Sequence, residues 1–212
     1  MDEPAIIAAA QKGDVQAFNR LVFEYQSIAY NVAYRILGDR DAAADACQDA
    51  FFSAFKNIRQ FRGGSFKAWL LRIATNTCYD QLRLKKRRPA DSLDDLLEDP
   101  DHSLIMSDPA PQPEHHALRH ELEGAIMSGL QSLPEDQRIT LVLTDVEGLS
   151  YLEVADITRV SVGTVKSRLS RGRAKLRDYL LACGELLPAH YRPKDDSAHE
   201  SSPDTNEPRS VL

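Results

Sequence analysis

Ser150 to Arg177 reads Ser-Tyr-Leu-Glu-Val-Ala-Asp-Ile-Thr-Arg-Val-Ser-Val-Gly-Thr-Val-Lys-Ser-Arg-Leu-Ser-Arg-Gly-Arg-Ala-Lys-Leu-Arg. The spacing predicts two short helices around a tight turn, the second strongly basic. Ser150 followed by Glu153 forms a capping box, in which each side chain satisfies the other residue's free backbone N–H. Leu152, Ala155 and Ile157 are expected to supply the buried side of the first helix. Ser161 is placed to cap the second, where Val162, Val165, Leu169 and Leu176 fall on one face. Lys166, Ser167, Ser170, Arg171 and Arg173 then project from the other. A helix that buries aliphatic residues and offers lysine, arginine and serine suits the DNA major groove. The plainer alternative is a solvated basic helix at a domain end. It accounts for the charge, but not for the joint agreement of cap, turn and core spacing.

The overall charge of −6, with a pI near 5.5, offers no uniform field to attract DNA. The charges are segregated, however. Lys56 to Arg88 carries ten Lys or Arg against the single acid Asp80, and Arg159 to Arg177 carries seven basic residues and no acid. Between them, Asp91 to Asp108 holds seven acids and no Lys or Arg. Two basic surfaces joined by an acidic tether is an arrangement that the average charge conceals.

Working toward the N-terminus, the apolar residues Phe18, Leu21, Val22, Tyr25, Ile28, Val32 and Ile36 recur at helical steps from Asp14 to Leu37, with Gly38 placed to end the helix. Asp41 to Ile58 predicts a second helix with Cys47, Phe51, Ala54, Phe55 and Ile58 inward. After the Gly63-Gly64 break, Ser65 caps a third from Phe66 to Lys86. Pro89 to Pro113 has no sustained period and reads as a linker. Leu118, Leu122, Ala125, Ile126, Leu130 and Leu133 make a further stripe, and Ile139 to Val146 another helix. Disorder is expected from about Pro188 onward. The expected fold is all-α, two small helical domains spanning 1–88 and 114–183, joined by a flexible acidic linker over 89–113 and followed by a tail over 184–212.

Three blocks carry a resemblance. They are Asp45-Ala-Cys-Gln-Asp-Ala-Phe51, the run Phe61-Arg-Gly-Gly-Ser-Phe-Lys-Ala-Trp-Leu-Leu-Arg-Ile-Ala-Thr-Asn-Thr-Cys-Tyr-Asp-Gln-Leu-Arg83, and Leu133-Pro-Glu-Asp-Gln-Arg138 with the helix–turn–helix. In this order, with an acidic segment before the third, they resemble the extracytoplasmic-function (ECF) branch of the sigma-70 family of bacterial initiation factors. The resemblance implies that the first domain is sigma region 2 and the second sigma region 4. It further implies that the chain binds core RNA polymerase and promoter DNA, answers to an anti-sigma factor and serves a stress or envelope response. The acidic linker would thread a polymerase channel; on its residues alone it equally fits an inert tether.

Each block has chemistry to match. Asp45, Gln48, Asp49 and Phe52 share one helix face, an acidic and amide patch around an aromatic. That fits a protein interface or a solvated surface, and the resemblance makes it the core-polymerase contact. In the second block, basic groups alternate with aromatics, as a single-strand-holding surface requires. Trp69 is expected in the core and Phe61 as the stacking aromatic. Asn76 matches the family position that holds an unstacked minus-ten base; its alternative is an ordinary exposed asparagine. Arg62, Arg83, Lys86 and Arg87 complete the expected minus-ten surface, the terminal cations as phosphate contacts. The minus-thirty-five reader is assigned to Lys166, Ser167, Ser170, Arg171 and Arg173.

Other classes find little support. No apolar stretch approaches the roughly 20 residues that span a bilayer, and three scattered cysteines fit a reducing cytoplasm better than a disulfide framework. His116 and His120 are four apart, but no cysteine completes a ligand set, so no metal is expected. Without a phosphate loop or an activated nucleophile, neither catalytic residues nor a cofactor are expected. Two alternatives are a helix–turn–helix regulator that is not a polymerase subunit, and an RNA-binding adaptor. The first requires a sensing domain upstream, for which the N-terminal half has no pattern.

Overall fold

The first half opens with a helix that the periodicity had not announced. Glu3–Gln11 (α1) is capped by Asp2, whose carboxylate accepts from the Ala5 N–H, and it buries Ile7 and Ala10. The computed structural model describes residues 2–87 and 113–183, with side chains from residue 121 onward in the second stretch. The linker expected from Pro89, the tail after Cys183, and the side chains of Leu118, His115, His116 and His120 lie outside the described residues.

Val15–Leu37 (α2) starts at Asp14, whose carboxylate takes the Gln16 and Ala17 N–H groups, and ends at Gly38 in the left-handed region (φ 76°). Arg40–Asn57 (α3) begins at the Asp39 cap, and a short 3-10 turn over Ile58–Gln60 closes it. Phe66–Arg87 (α4) is capped by Ser65, as expected. Pro113–Gln131 (α5) leads into Glu135–Leu141 (α6), which runs on as a π turn, Val142–Val146, closed by a bond from Glu147 N–H to the Val142 carbonyl. Tyr151–Thr158 (α7) and Val162–Ala182 (α8) form the helix–turn–helix. The Ser150–Glu153 capping box is present in both directions. Arg159 makes the turn at φ 55°, left-handed without being glycine. Among the described residues there is no strand.

Three buried faces differ from expectation. On α3 the inward residues are Ala43, Ala46, Ala50 and Ala54, while Phe51 is half-buried and Phe55 is 42% exposed. Four alanines let α3 lie close against both α2 and α4, and such a seam leaves no room for phenylalanine rings. On α7 the inward residues are Val154 and Ile157, and Leu152 is 73% exposed. Starting the helix at Ser150 puts residue 152 about 200° around from residue 154. On α5, Leu130 is buried, but Ile126 faces out at 37%.

The two halves are packed together. One buried cluster combines Val32, Ala33, Ile36, Leu71 and Cys78 of the first half with Leu130, Leu133, Ile139, Leu143, Val165 and Leu169 of the second. A separate cluster around Phe18, Leu21, Phe66 and Leu70 belongs to the first half alone. The α2 helix therefore changes partners along its length. Its early turns serve the N-terminal bundle and its last turns the joint core.

At the seam, Gln131 donates from Nε2 to the Arg35 carbonyl at 3.0 Å and accepts from Arg138 through its Oε1. Gly38 sits against this side chain, so a Cβ built there would stand 2.6 Å from Gln131 Cδ. Gly38→Ala combines a left-handed alanine with this clash and should lower unfolding free energy by about 1 to 3 kcal/mol, measured by denaturant titration. Three ion pairs also cross the seam, Lys86–Glu135 (2.9 Å) and the two compared here. Lys67–Glu147 (3.0 Å) engages a carboxylate with only 8% side-chain exposure, whereas both side chains of Arg72–Asp156 (2.7 Å) are solvated. Double-mutant cycles should therefore give a larger coupling for Lys67–Glu147, with Arg72–Asp156 at or below about 1 kcal/mol.

Candidate nucleic-acid interface

On α4, three of the cationic residues are already engaged, and their partners lie in the second half. Lys67 Nζ donates to the carboxylate of Glu147 (3.0 Å) and to its carbonyl (2.8 Å). Arg72 pairs with Asp156 (2.7 Å) and Lys86 with Glu135 (2.9 Å). Tyr79 lies 3.5 Å from Asp136, and burial, aided by that carboxylate, pushes its phenol up to about 12. Arg83 is exposed and pairs within its own helix with Asp80 at 3.3 Å. Arg62 and Arg87 are exposed, and Asn76 is half-buried on α4. The expected minus-ten cations thus lie along one helix and the loop before it.

Phe61 is a correction. Its ring is only 8% exposed and packs edge-on against Phe66 (5.6 Å) and tilted against Trp69 (5.5 Å). The left-handed Gly63 and Gly64 (φ 94° and 87°) fold the loop back over the start of α4. Gln11 fastens it there, donating to the carbonyls of Phe61 (2.7 Å) and Ile58 (3.2 Å). In this arrangement Phe61 is a core contact, not a stacking surface open to bases. Trp69, assigned to the core, is half-buried in the same cluster.

On α8 the buried side is Val165, Leu169 and Gly172. Gly172 packs against Gln137 and Leu141 of α6; a Cβ there would meet the Gln137 carbonyl oxygen at 3.4 Å. Lys166, Ser170, Arg171 and Arg173 are exposed on the other side. Ser167 is half-buried, its hydroxyl donating to the Thr164 carbonyl at 2.9 Å, which leaves only its lone pairs for a base. Two further residues of this surface were not legible in the sequence. Tyr151, the first residue of α7, has its ring 6.0 Å from the Lys166 ammonium. Asp145, from the π turn, takes a two-pronged bond from Arg173 at 2.8 and 2.6 Å. These hydrogen bonds to Asp145 hold the Arg173 guanidinium above the usual arginine range, and Tyr151 adds to the effect.

Asp45, Gln48, Asp49 and Phe52 all lie exposed on α3, Phe52 at 57%. Asp49 and Phe52 border a groove between α3 and α4, whose far wall includes Thr77, Gln81 and the 58% exposed Leu84. An aromatic and a leucine flanking polar groups make a surface on which an apolar anchor has somewhere to sit. Leu84 was missed because, in a basic run, it reads as an isolated residue. Among the described residues no group of three or more His, Cys, Asp or Glu converges as metal ligands, and no helix is long and apolar enough to cross a membrane.

The two halves match separate family models, Sigma-70 region 2 over residues 21–88 and Sigma-70, region 4 over residues 123–176. The chain is 40% identical over 174 residues to the RNA polymerase sigma-H factor of Pseudomonas aeruginosa, covering 79% of this chain and 88% of that one. It is 37% identical over 175 residues to the ECF RNA polymerase sigma-E factor of Escherichia coli K12, covering 82% and 91%. Among solved structures it is similar to the sigma factor RpoE in complex with the anti-sigma factor NepR from Bartonella quintana, with a TM-score of 0.60, 27% identity and coverage of 78% of this chain and 98% of that one. It is likewise similar to CnrH in complex with the cytosolic domain of CnrY, with a TM-score of 0.61, 28% identity and coverage of 86% and 99%. With both regions matched in order and relatives aligned over most of their length, the chain belongs to the sigma-70 family, in its extracytoplasmic-function branch.

Proposed function

We infer that this chain is an alternative sigma factor that docks on core RNA polymerase through α3, reads and helps open the minus-ten element with α4, and reads the minus-thirty-five element with α8. The observation that carries the reading is the pair of basic helices, α4 and α8, one in each matched region, beside an exposed acidic-aromatic face on α3. The polymerase supplies the chemistry of RNA synthesis, and this chain supplies recognition in the cytoplasm. Both solved relatives hold a partner, one of them named as an anti-sigma factor, and control by an anti-sigma factor is inferred here too. The sigma-E likeness favours an envelope or stress response.

The residues divide the work by chemistry. Asn76 offers both a donor and an acceptor, as a base edge requires. Arg62, Arg83, Lys86 and Arg87 hold phosphates and supply affinity more than sequence information. Lys166 stands in the second turn of α8, where a helix entering the major groove meets base edges, with Ser167, Ser170 and Arg171 close by. Promoter elements about 25 base pairs apart are separated by about 85 Å of duplex, at 3.4 Å per step. In the packed arrangement, α4 touches the second half directly through Arg72–Asp156. Reading both elements at once therefore requires the seam to open.

Run-off transcription with core polymerase tests the reading as a whole: transcripts from defined start sites are expected only when the chain is added. In a binding titration, Asp49→Arg should weaken the complex with core by about 1 to 2 kcal/mol with helical content unchanged; equal affinity would remove this face from the interface. Lys166→Ala should lower discrimination between matched and mismatched minus-thirty-five elements by about 1 to 3 kcal/mol. Equal weakening on every promoter would show that Lys166 does not meet bases.

A further inference from the structure

Arg173 is the one cation of the proposed minus-thirty-five surface whose guanidinium is held by two hydrogen bonds to one carboxylate. Its Nε donates to Asp145 Oδ2 at 2.8 Å and its Nη2 to Oδ1 at 2.6 Å. A guanidinium carries five N–H donors in one plane. The carboxylate takes two along one edge and Tyr151 lies beside the group, so the remaining N–H donors are held in a fixed orientation. The Arg173 side chain is 53% exposed, more than the 29% of Asp145, so part of the guanidinium stays open to solvent while the carboxylate and Tyr151 hold it.

The carboxylate itself is firmly based. Asp145 lies in the π turn, whose Val142 and Leu143 are fully buried. The turn is pinned by bonds from Gly148 N–H to the Thr144 carbonyl and from Leu149 N–H to the Leu143 carbonyl, each 3.1 Å. A carboxylate on a surface that meets DNA is repelled by phosphates, so one that serves only to fasten two helices is badly placed there. An exposed ion pair also contributes little to stability. Both costs are met if the carboxylate aims the cation. Arg173 is eleven residues beyond the start of α8, about 16 Å along its axis. A recognition helix is climbing out of the groove at that depth, so the acceptor is a backbone phosphate and not a base.

We propose that Asp145 is a positioning residue for promoter recognition, holding the Arg173 guanidinium so that its remaining donors clamp one phosphate beside the minus-thirty-five element and fix the register of α8. This rests on the sigma region 4 reading. Lys166 is set differently, with only the Tyr151 ring beside it, which leaves its flexible stem able to follow a base edge.

The test uses the full chain with core polymerase on duplex promoters in which single phosphates across the minus-thirty-five region are replaced, one per duplex, by neutral methylphosphonate. For the parent, one position should weaken binding by about tenfold, the cost of losing a charge-assisted contact. Arg173→Ala should abolish the sensitivity at that position alone. Asp145→Asn keeps the size of the side chain and the Arg173 charge but loses the ionic fork. Its sensitivity there should fall below about threefold and spread to neighbouring phosphates. Asp145→Glu should restore part of the single-position effect. An Asp145→Asn profile identical to the parent's, even with weaker overall affinity, would mean that the pair merely fastens two helices, and the proposal would be overturned. Should Arg173→Ala leave the profile unchanged, it also fails. No promoter complex from the parent holoenzyme would remove the region 4 reading and this inference together.

Discussion

One carboxylate joins the two basic helices to which promoter reading is assigned. Asp136, at the start of α6, lies 2.6 Å from Arg168 on α8 and 3.5 Å from Tyr79 on α4. Around it, Glu135, Glu147 and Asp156 take Lys86, Lys67 and Arg72. Every one of these contacts runs in one sense, a donor group of α4 or α8 meeting an acid of the second half. Beneath them the aliphatic residues of α2, α4, α5 and α6 form a single core. The packed chain is therefore held by apolar burial, which charge screening does not weaken, and oriented by charge pairs, which it does.

That division matters because the same cations are the ones a DNA backbone needs. A phosphate and a carboxylate are alternative acceptors for Lys67, Arg72 and Lys86, and the groups cannot serve both at once. Opening also uncovers the aliphatic side chains of the joint core, a cost that salt does not reduce. Something must cover them or compensate elsewhere, and the docking on polymerase proposed for the α3 face would compensate.

Most of the helices were legible in the sequence because caps and periods agree. Ser65, Ser150 and Ser161 each cap the helix they were expected to start, and Gly38 ends α2 in the left-handed conformation. The all-α class and the two matched regions were equally legible. The facing of helices was not, wherever small residues decide it. On α3 four alanines outcompete three larger apolar residues for the seam, which no hydrophobicity ranking anticipates. Phe61 looked like a base-stacking aromatic because its neighbours are basic; the Gly63-Gly64 reversal that buries it is a matter of direction, not composition. The packing of the two halves was invisible because each acid of the seam, read in its own helix, looks like a solvated charge. Asp145 and Tyr151 escaped for the same reason, since each acts on a residue fifteen or more positions downstream.

The central claim is that α4 and α8, linked through Asp136 in the free chain, separate to read two distant promoter elements. The most direct measurement is the distance between spectroscopic labels at Glu24 on α2 and Lys175 on α8, taken in the free chain and in a transcribing promoter complex with core polymerase. The account predicts an increase of tens of ångströms, on the scale of the roughly 85 Å between the elements. A distance unchanged in a complex that makes correctly started transcripts would contradict it.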